Sequence, residues 1–389
     1  MSRIEAAGLL ESRLTNYCVE KSCTVRRLGT MDREDGVMTA FSLVELGWQS
    51  FFEAQVDAME SEHAIPARVF AHFGSQVVFQ TPRGQKVVPT SIVELEPGSP
   101  NSQIAVGDWF LLAPESLRGI RRLERKTVLS RKAAGEEAKR QLIAANIDTA
   151  FIVASCNKEF NLSRIERYLA TVLEAGCIAV VVLTKADLCD DSASLCRQVR
   201  KMHAGLIVEA IDARDPEQTA VLNDFCTTGK TVAMLGSSGV GKSTLLNAMG
   251  RLAVRTGEIR EADGKGRHTT TARSMHRLCA GGWLVDSPGM REFQIANCEG
   301  GVAELFDDII QLEQSCRFRN CQHEQEPGCA IRRALDSGEL NERRYASFRK
   351  LASEQRRNAM TLAEKRENEK RQGAYYKKVI AGKKKLRDC

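Results

Sequence analysis

Three short motifs, standing in an unusual order, constrain this chain more than any other feature. Leu183-Thr184-Lys185-Ala186-Asp187 closes an apolar run at 178–183. Gly236-Ser237-Ser238-Gly239-Val240-Gly241-Lys242-Ser243-Thr244 follows a second apolar run, at 231–235. Asp286-Ser287-Pro288-Gly289 comes last, behind Trp283-Leu284-Val285. Each motif is thus a polar turn at the end of an apolar strand. From about Asp148 onward such strands (150–154, 178–183, 206–211, 231–235) alternate with helical stretches, which implies a parallel sheet covered on both faces. Ser163-Arg164-Ile165-Glu166 reads as a capping box opening one helix, with Ile165, Leu169, Val172 and Leu173 on its inner face and its end near Gly176.

The chemistry of the motifs is specific. In the middle one, a strand feeds a glycine-rich turn and a helix leaves it. Gly236, Gly239 and Gly241 carry no Cβ, so backbone N–H groups can wrap phosphates, and the helix N-terminus adds a favourable dipole. Lys242 is placed to bridge the β- and γ-phosphates, and Ser243 to ligate Mg2+. Asp286 can hold the same ion through a water, and the Gly289 amide can meet the γ-phosphate, although D-x-x-G alone is a weak signal. In Thr184-Lys185-Ala186-Asp187 the carboxylate can accept from guanine N1–H and the 2-amino group; adenine offers neither donor. The Lys185 stem can lie along the base. Most GTPases have Asn where Thr184 stands, and a hydroxyl without an amide implies modest nucleotide affinity. Asp212-Ala213 is a weaker candidate for a base-supporting turn. An ordinary GTPase has its phosphate loop first and its base reader near the end; here the order is rotated.

Between the phosphate loop and Asp286 lies Gly264-Lys265-Gly266-Arg267-His268-Thr269-Thr270-Thr271, polar and suited to a switch that senses the γ-phosphate. One of the three threonines can cap Mg2+, and the sequence does not distinguish them; Thr270 is counted with the GTP-binding residues. Many GTPases carry Gln after the D-x-x-G glycine to position water; here Met290 stands there and cannot do so. His268 and Lys242 are the candidate catalytic residues, with His268 open to two readings, a water-orienting group or a solvated loop histidine.

Cys316-x4-Cys321-x-His323-x5-Cys329 gathers three thiols and an imidazole, a donor set suited to tetrahedral structural Zn2+. Pro327-Gly328 supplies the turn that can bring Cys329 round, and helices are expected over 332–335 and 342–357. Upstream, short strands at 68–73, 76–80, 86–90 and 108–112 suit a small barrel such as an OB-fold. Arg118, Arg121, Arg122, Arg125, Lys126, Arg131 and Lys132 after them read either as phosphate contacts or as a solvated linker. Residues 43–56 are expected to be a helix with Trp48, Phe51 and Phe52 facing the core.

Charge is unevenly placed. The chain of 389 residues carries a formal +6, but residues 331–389 alone hold 18 Lys and Arg against 8 Asp and Glu. A basic tail on a near-neutral body suggests a polyanionic partner. No apolar run is long enough to span a membrane and no signal-peptide pattern opens the chain. The 13 cysteines, odd in number, are expected to be reduced in a cytoplasmic, monomeric protein.

With these residues in view, the chain resembles the ribosome small-subunit-dependent GTPase A family, bacterial ribosome-maturation factors, over roughly residues 65–355. The permuted T-K-A-D, G-S-S-G-V-G-K-S-T and D-S-P-G order, the G-R-H-T-T-T segment, the C-x4-C-x-H-x5-C site and the run from Gln141 to Asp148 carry the resemblance. It implies an α/β architecture: a permuted P-loop GTPase domain with an N-terminal OB-fold β-barrel and a C-terminal zinc-binding helical domain. The corresponding segments are an extension (1–62), the OB-fold (63–128), the GTPase domain (129–295), the zinc domain (296–355) and a basic helical tail (356–389). It also implies binding to the small ribosomal subunit and its rRNA, subunit-stimulated GTP hydrolysis to GDP, and a catalytic role for His268.

Overall fold

In the computed structural model the described residues are 40–93, 103–132, 140–252, 273–286, 298–359 and Glu364. The first described residues form a turn over 43–47 and two short helices, α1 (Ser50–Glu53) and α2 (Ala58–His63). The longer helix expected over 43–56 does not form. Gly47 interrupts it, with a φ of 89° that disfavours any other residue. A Cβ there would also lie 2.5 Å from the guanidinium of buried Arg68. Trp48 and Phe52 do face the core, stacking about Trp109, whereas Phe51 is partly exposed.

Next come β1 (Ile65–His72), β2 (Gln76–Thr81), β3 (Gly84–Pro89), β4 (Trp109–Leu112) and β5 (Gly119–Arg122), all paired antiparallel in the order β3-β2-β1-β4-β5. Among the described residues no pairing closes β3 onto β5. The basic residues after β4 are largely matched internally. Arg121 pairs with Glu60, Arg125 forks onto fully buried Asp108 at 2.6 and 2.7 Å, and Lys126 donates to Gln49.

A two-stranded ladder, β6 (Val128–Lys132) with β7 (Arg140–Ala145), leads into the α/β region. There follow β8 (Thr149–Ser155), α3 (Leu162–Glu174), β9 (Ile178–Thr184), α4 (Ser192–Arg200), β10 (Ile207–Ala210), α5 (Pro216–Thr219), β11 (Thr231–Leu235), α6 (Lys242–Ala248), β12 (Arg251–Leu252), β13 (Arg273–Leu278) and β14 (Trp283–Asp286). Strands β10-β9-β8-β11-β14 are parallel, and β13 returns antiparallel on β14. Alternate side chains along these strands enter separate cores. Ile152, Val181, Leu183, Ala233 and Leu235 join one with α3; Phe151, Val153, Val180, Val182, Val232 and Met234 join the other with Leu245 of α6. That period of two, with both faces apolar, is why the sequence reads as uninterrupted hydrophobic runs. Strand β13 also pairs with β1, at Ala71 with Ser274 and His72 with Arg273, so the N-terminal strands and the parallel strands form one sheet.

The helix expected at a Ser163–Glu166 capping box begins earlier. Asn161 is the cap, its side chain accepting from Arg164 N at 3.0 Å, and Glu166 is fully buried instead of reaching back to the cap. The cause is a long-range partner described below. After β14 come α7 (Glu299–Leu305), α8 (Asp307–Gln314), α9 (Ala330–Asp336) and α10 (Glu342–Ala359). Gly301 lets α7 sit directly on α3, since a Cβ there would lie 1.9 Å from Ala170 O. No helix among the described residues is long and apolar enough to cross a membrane.

Candidate nucleotide site and metal centre

The loop 236–241 joins β11, buried throughout, to α6. Gly236 adopts φ 150°, and a Cβ there would lie 2.3 Å from Val153 O on the neighbouring strand β8. Gly239 (φ 78°) opens onto free space, and Gly241 (φ 96°) is the residue from which α6 starts. The Lys242 ammonium turns back over the loop, donating to Gly236 O at 2.7 Å and to Ser237 O. Ser238, Ser243 and Thr244 are exposed, and Val240 is buried.

The Thr184–Asp187 turn lies against this loop although it comes from an earlier strand. Thr184, fully buried, donates from Oγ1 to Val240 O at 2.5 Å and Ala154 O at 3.2 Å. Lys185, held in the left-handed region at φ 57°, donates from Nζ to Gly239 O at 3.0 Å. Ala186 N donates to Ile211 O at 3.3 Å, seating the turn on the end of β10. Asp187 is partly exposed and pairs with Arg214 at 2.6 Å. Arg214 in turn grips Asp212 through Nε at 2.9 Å and Nη2 at 2.8 Å, and those bonds hold the Asp212 carboxyl below its usual range. Ala213 between them is buried. Arg214 carries no motif signal; only the fold brings it to Asp187.

Asp286 ends β14, parallel to and directly beside β11. Gly289, His268 and Thr270, with the rest of the 264–271 segment, lie outside the described residues.

The four expected zinc ligands converge. The thiols of Cys316, Cys321 and Cys329 and an imidazole nitrogen of His323 lie within 4.8 Å of one another. Cys316 Sγ is 3.6 Å and Cys329 Sγ 3.4 Å from His323 Nδ1, and the two sulfurs are 4.0 Å apart. Edges of this length fit a tetrahedron with metal–sulfur bonds of about 2.3 Å and exclude a disulfide between those two. Backbone N–H groups of Ala330 and Arg332 point at Cys316 and Cys329, each at 3.4 Å. Glu313 lies 3.4 Å from His323 Nε2 and so orients the ring. The knuckle between the ligands is organised by Glu326, whose carboxylate accepts from Gln322 N at 2.7 Å, Glu324 N at 2.9 Å and Gln325 N at 3.1 Å. Those backbone bonds, Gln322 first, lower its pKa to about 2. Donor set and spacing fit a closed, structural Zn2+ site.

A parallel-stranded core with a phosphate loop after β11, a T-K-A-D turn from an earlier strand bonded to that loop, and Asp286 from a later one defines a P-loop GTPase of circularly permuted motif order. The family model described as RsgA GTPase matches residues 122–296. A small ribosomal subunit biogenesis GTPase RsgA 2 of Vibrio parahaemolyticus is 47% identical over 350 residues, 90% of this chain and 96% of that one. A small ribosomal subunit biogenesis GTPase RsgA of Mesorhizobium japonicum is 44% identical over 321 residues, 82% and 91% of the two chains. The chain belongs to the RsgA GTPase family. In fold it matches the crystal structure of YjeQ from Thermotoga maritima with a TM-score of 0.54 and 24% identity, covering 75% of this chain and 98% of that one.

Proposed function

We propose that this chain is a GTP-hydrolysing assembly factor of the small ribosomal subunit, bound to its rRNA and stimulated by the subunit. The supporting observation is the bonding of the Thr184–Lys185 turn to the carbonyls of Val240 and Gly239; Asp187 of the same turn is read as the guanine-selective carboxylate. In this reading Gly236, Ser237, Ser238, Gly239, Val240 and Gly241 surround the phosphates with N–H groups. Lys242 moves from Gly236 O and Ser237 O onto the β- and γ-phosphates when they arrive, and Thr244 lies in the same first turn of α6. Ser243 and Asp286 are the residues to hold Mg2+, with Thr270 as the switch threonine; the ion supplies charge neutralisation at the phosphates. Gly289 N–H reads the γ-phosphate. Hydrophobic Met290 leaves water positioning to His268.

Permutation places Asp286–Gly289 immediately before the C-terminal helices, so γ-phosphate-dependent movement there is felt by the metal-stapled segment 296–355. The segment 63–128 is assigned as an OB-fold, 129–295 as the GTPase domain and 356–389 as a basic helical tail. The protein acts as a cytoplasmic monomer.

Phosphate release from GTP and ATP, with and without small subunits, tests the enzyme. GTP selectivity and acceleration by the subunit are expected; equal use of ATP would overturn the base-site reading. Co-sedimentation with the subunit under a GTP analogue and under GDP tests the switch, with the analogue retaining more protein. His268→Ala is expected to lower kcat more than tenfold with KM little changed; unchanged turnover would remove His268 from the mechanism.

A further inference from the structure

Beside the phosphate loop, reaching to α10, lies a cavity of about 550 Å3. Among the described residues its walls include Ser237 and Ser238 of the loop, Ser163, Arg164 and Arg167 of α3, and Lys350 of α10. The three cations are not equivalent. Arg167 is matched arm for arm by Glu354, at 2.8 Å on both sides. Arg164 and Lys350 are exposed, and among the described residues neither side chain has an acidic partner or a hydrogen-bond acceptor.

Two positive charges from elements far apart in sequence therefore border one polar space without a counter-ion. Such charges repel unless an anion joins them. Ser163 lies in the first turn of α3, a helix of 13 residues, where Asn161 already caps Arg164 N and the helix dipole favours negative charge. The hydroxyls of Ser163, Ser237 and Ser238 add donors of the kind that phosphoryl oxygens take. The cavity is far roomier than one small ion needs. Its α10 wall also belongs to the segment 331–389, which carries 18 Lys and Arg, with Arg356 and Arg357 exposed further along the same helix. A polyanion following that basic face is led to Lys350.

We propose that this cavity binds the phosphodiester backbone of RNA, with Arg164 and Lys350 as its two charge partners. The proposal rests on the reading that the chain meets RNA and adds where one contact falls. An RNA phosphate held here lies against Ser237 and Ser238, so RNA binding is reported directly to the loop that carries the nucleotide.

The test is the salt dependence of binding of a labelled oligouridylate by the full chain, read by fluorescence anisotropy. Each neutralised phosphate on a single strand contributes about 0.7 to the slope of log K against log salt. Arg164→Ala with Lys350→Ala is expected to lower that slope by about 1.4, while Arg164→Lys with Lys350→Arg retains it, and the affinity for a fluorescent GDP analogue stays as in the wild type. An unchanged slope would overturn the proposal. So would a loss of GDP-analogue affinity at unchanged slope, which would give these cations to the nucleotide. Wild-type protein that fails to bind the oligouridylate would remove the RNA reading itself, whereas wild-type binding with an unchanged slope in the double variant removes the cavity alone, so the two failures are told apart.

Discussion

The hydroxyl of Thr184, buried at the end of β9, donates to the carbonyl of Val240 in the phosphate loop at 2.5 Å. The T-K-A-D turn and the glycine-rich loop, separated in sequence, are thereby fastened through one proton, shared with Ala154 O at 3.2 Å. Thr184, standing where most GTPases have asparagine, thus tethers its turn to the loop.

Thr184→Val tests this. Valine preserves shape but leaves the buried carbonyl of Val240 without its side-chain donor, at a cost of about 1–2 kcal/mol. The expected result is that much loss in chemical denaturation, with several-fold weaker binding of a fluorescent GDP analogue. Wild-type affinity in the variant would mean that the tether does not shape the loop.

Gly236→Ala is expected to be far more severe. Its φ of 150° lies where L residues are strained, and the added Cβ would meet Val153 O at 2.3 Å, an atom of the central strand that cannot withdraw. Guanine-nucleotide affinity should fall more than tenfold in equilibrium binding. By contrast, Gly239→Ala meets nothing within 4 Å and carries only the backbone penalty at φ 78°, so it should be the milder of the two.

Glu166 and Arg343 bind the parallel-sheet region to the C-terminal helices. The carboxylate is fully buried, takes both arms of Arg343 at 2.9 and 3.0 Å, and accepts from Ser347 Oγ at 2.5 Å. Arg343→Ala leaves the buried carboxylate with Ser347 and the more distant Arg344, 3.8 Å away, and breaking a buried pair typically costs about 3–5 kcal/mol. Because Arg343 is itself partly exposed, the lower end is expected, read as a shift in the denaturation midpoint. Adding Glu166→Gln to the Arg343→Ala variant should recover part of the loss, since the amide carries no charge to strand.

What the sequence revealed and what it hid follow the range of the interactions. The phosphate loop, the T-K-A-D turn and the Cys3His set are local patterns whose chemistry is complete within a few residues, and the structure assembles each of them. The parallel strands were legible because both faces are apolar. Glu166 was misread as a cap because its partners Arg343 and Ser347 are about 180 residues away. Arg214 was invisible for the same reason: nothing in Asp212-Ala213-Arg214 announces a bond to Asp187. Two arginines after β4, Arg121 and Arg125, open to reading as phosphate contacts, are matched by Glu60 and Asp108, acids that no local pattern pairs with them.

Glu326 provides the last test, at the metal centre. Its carboxylate accepts three backbone N–H groups of the knuckle, so the ionised form is strongly favoured in the folded chain, with a pKa of about 2. The folded value lies below the ordinary glutamate value of about 4.3, so the support is complete above the latter and lost only as pH falls towards 2. Between pH 7 and pH 5 the knuckle should therefore hold its shape while protonation of the thiolates and imidazole governs metal loss. Glu326→Gln, which retains a single acceptor oxygen and turns an NH2 towards N–H donors, is expected to release one zinc per chain to a colorimetric chelator several-fold faster than the wild type. The ratio of the two rates should be the same at pH 7 and pH 5. Equal rates for the two proteins would remove Glu326 from the support of the site, and absence of stoichiometric zinc in the wild type would remove the metal assignment.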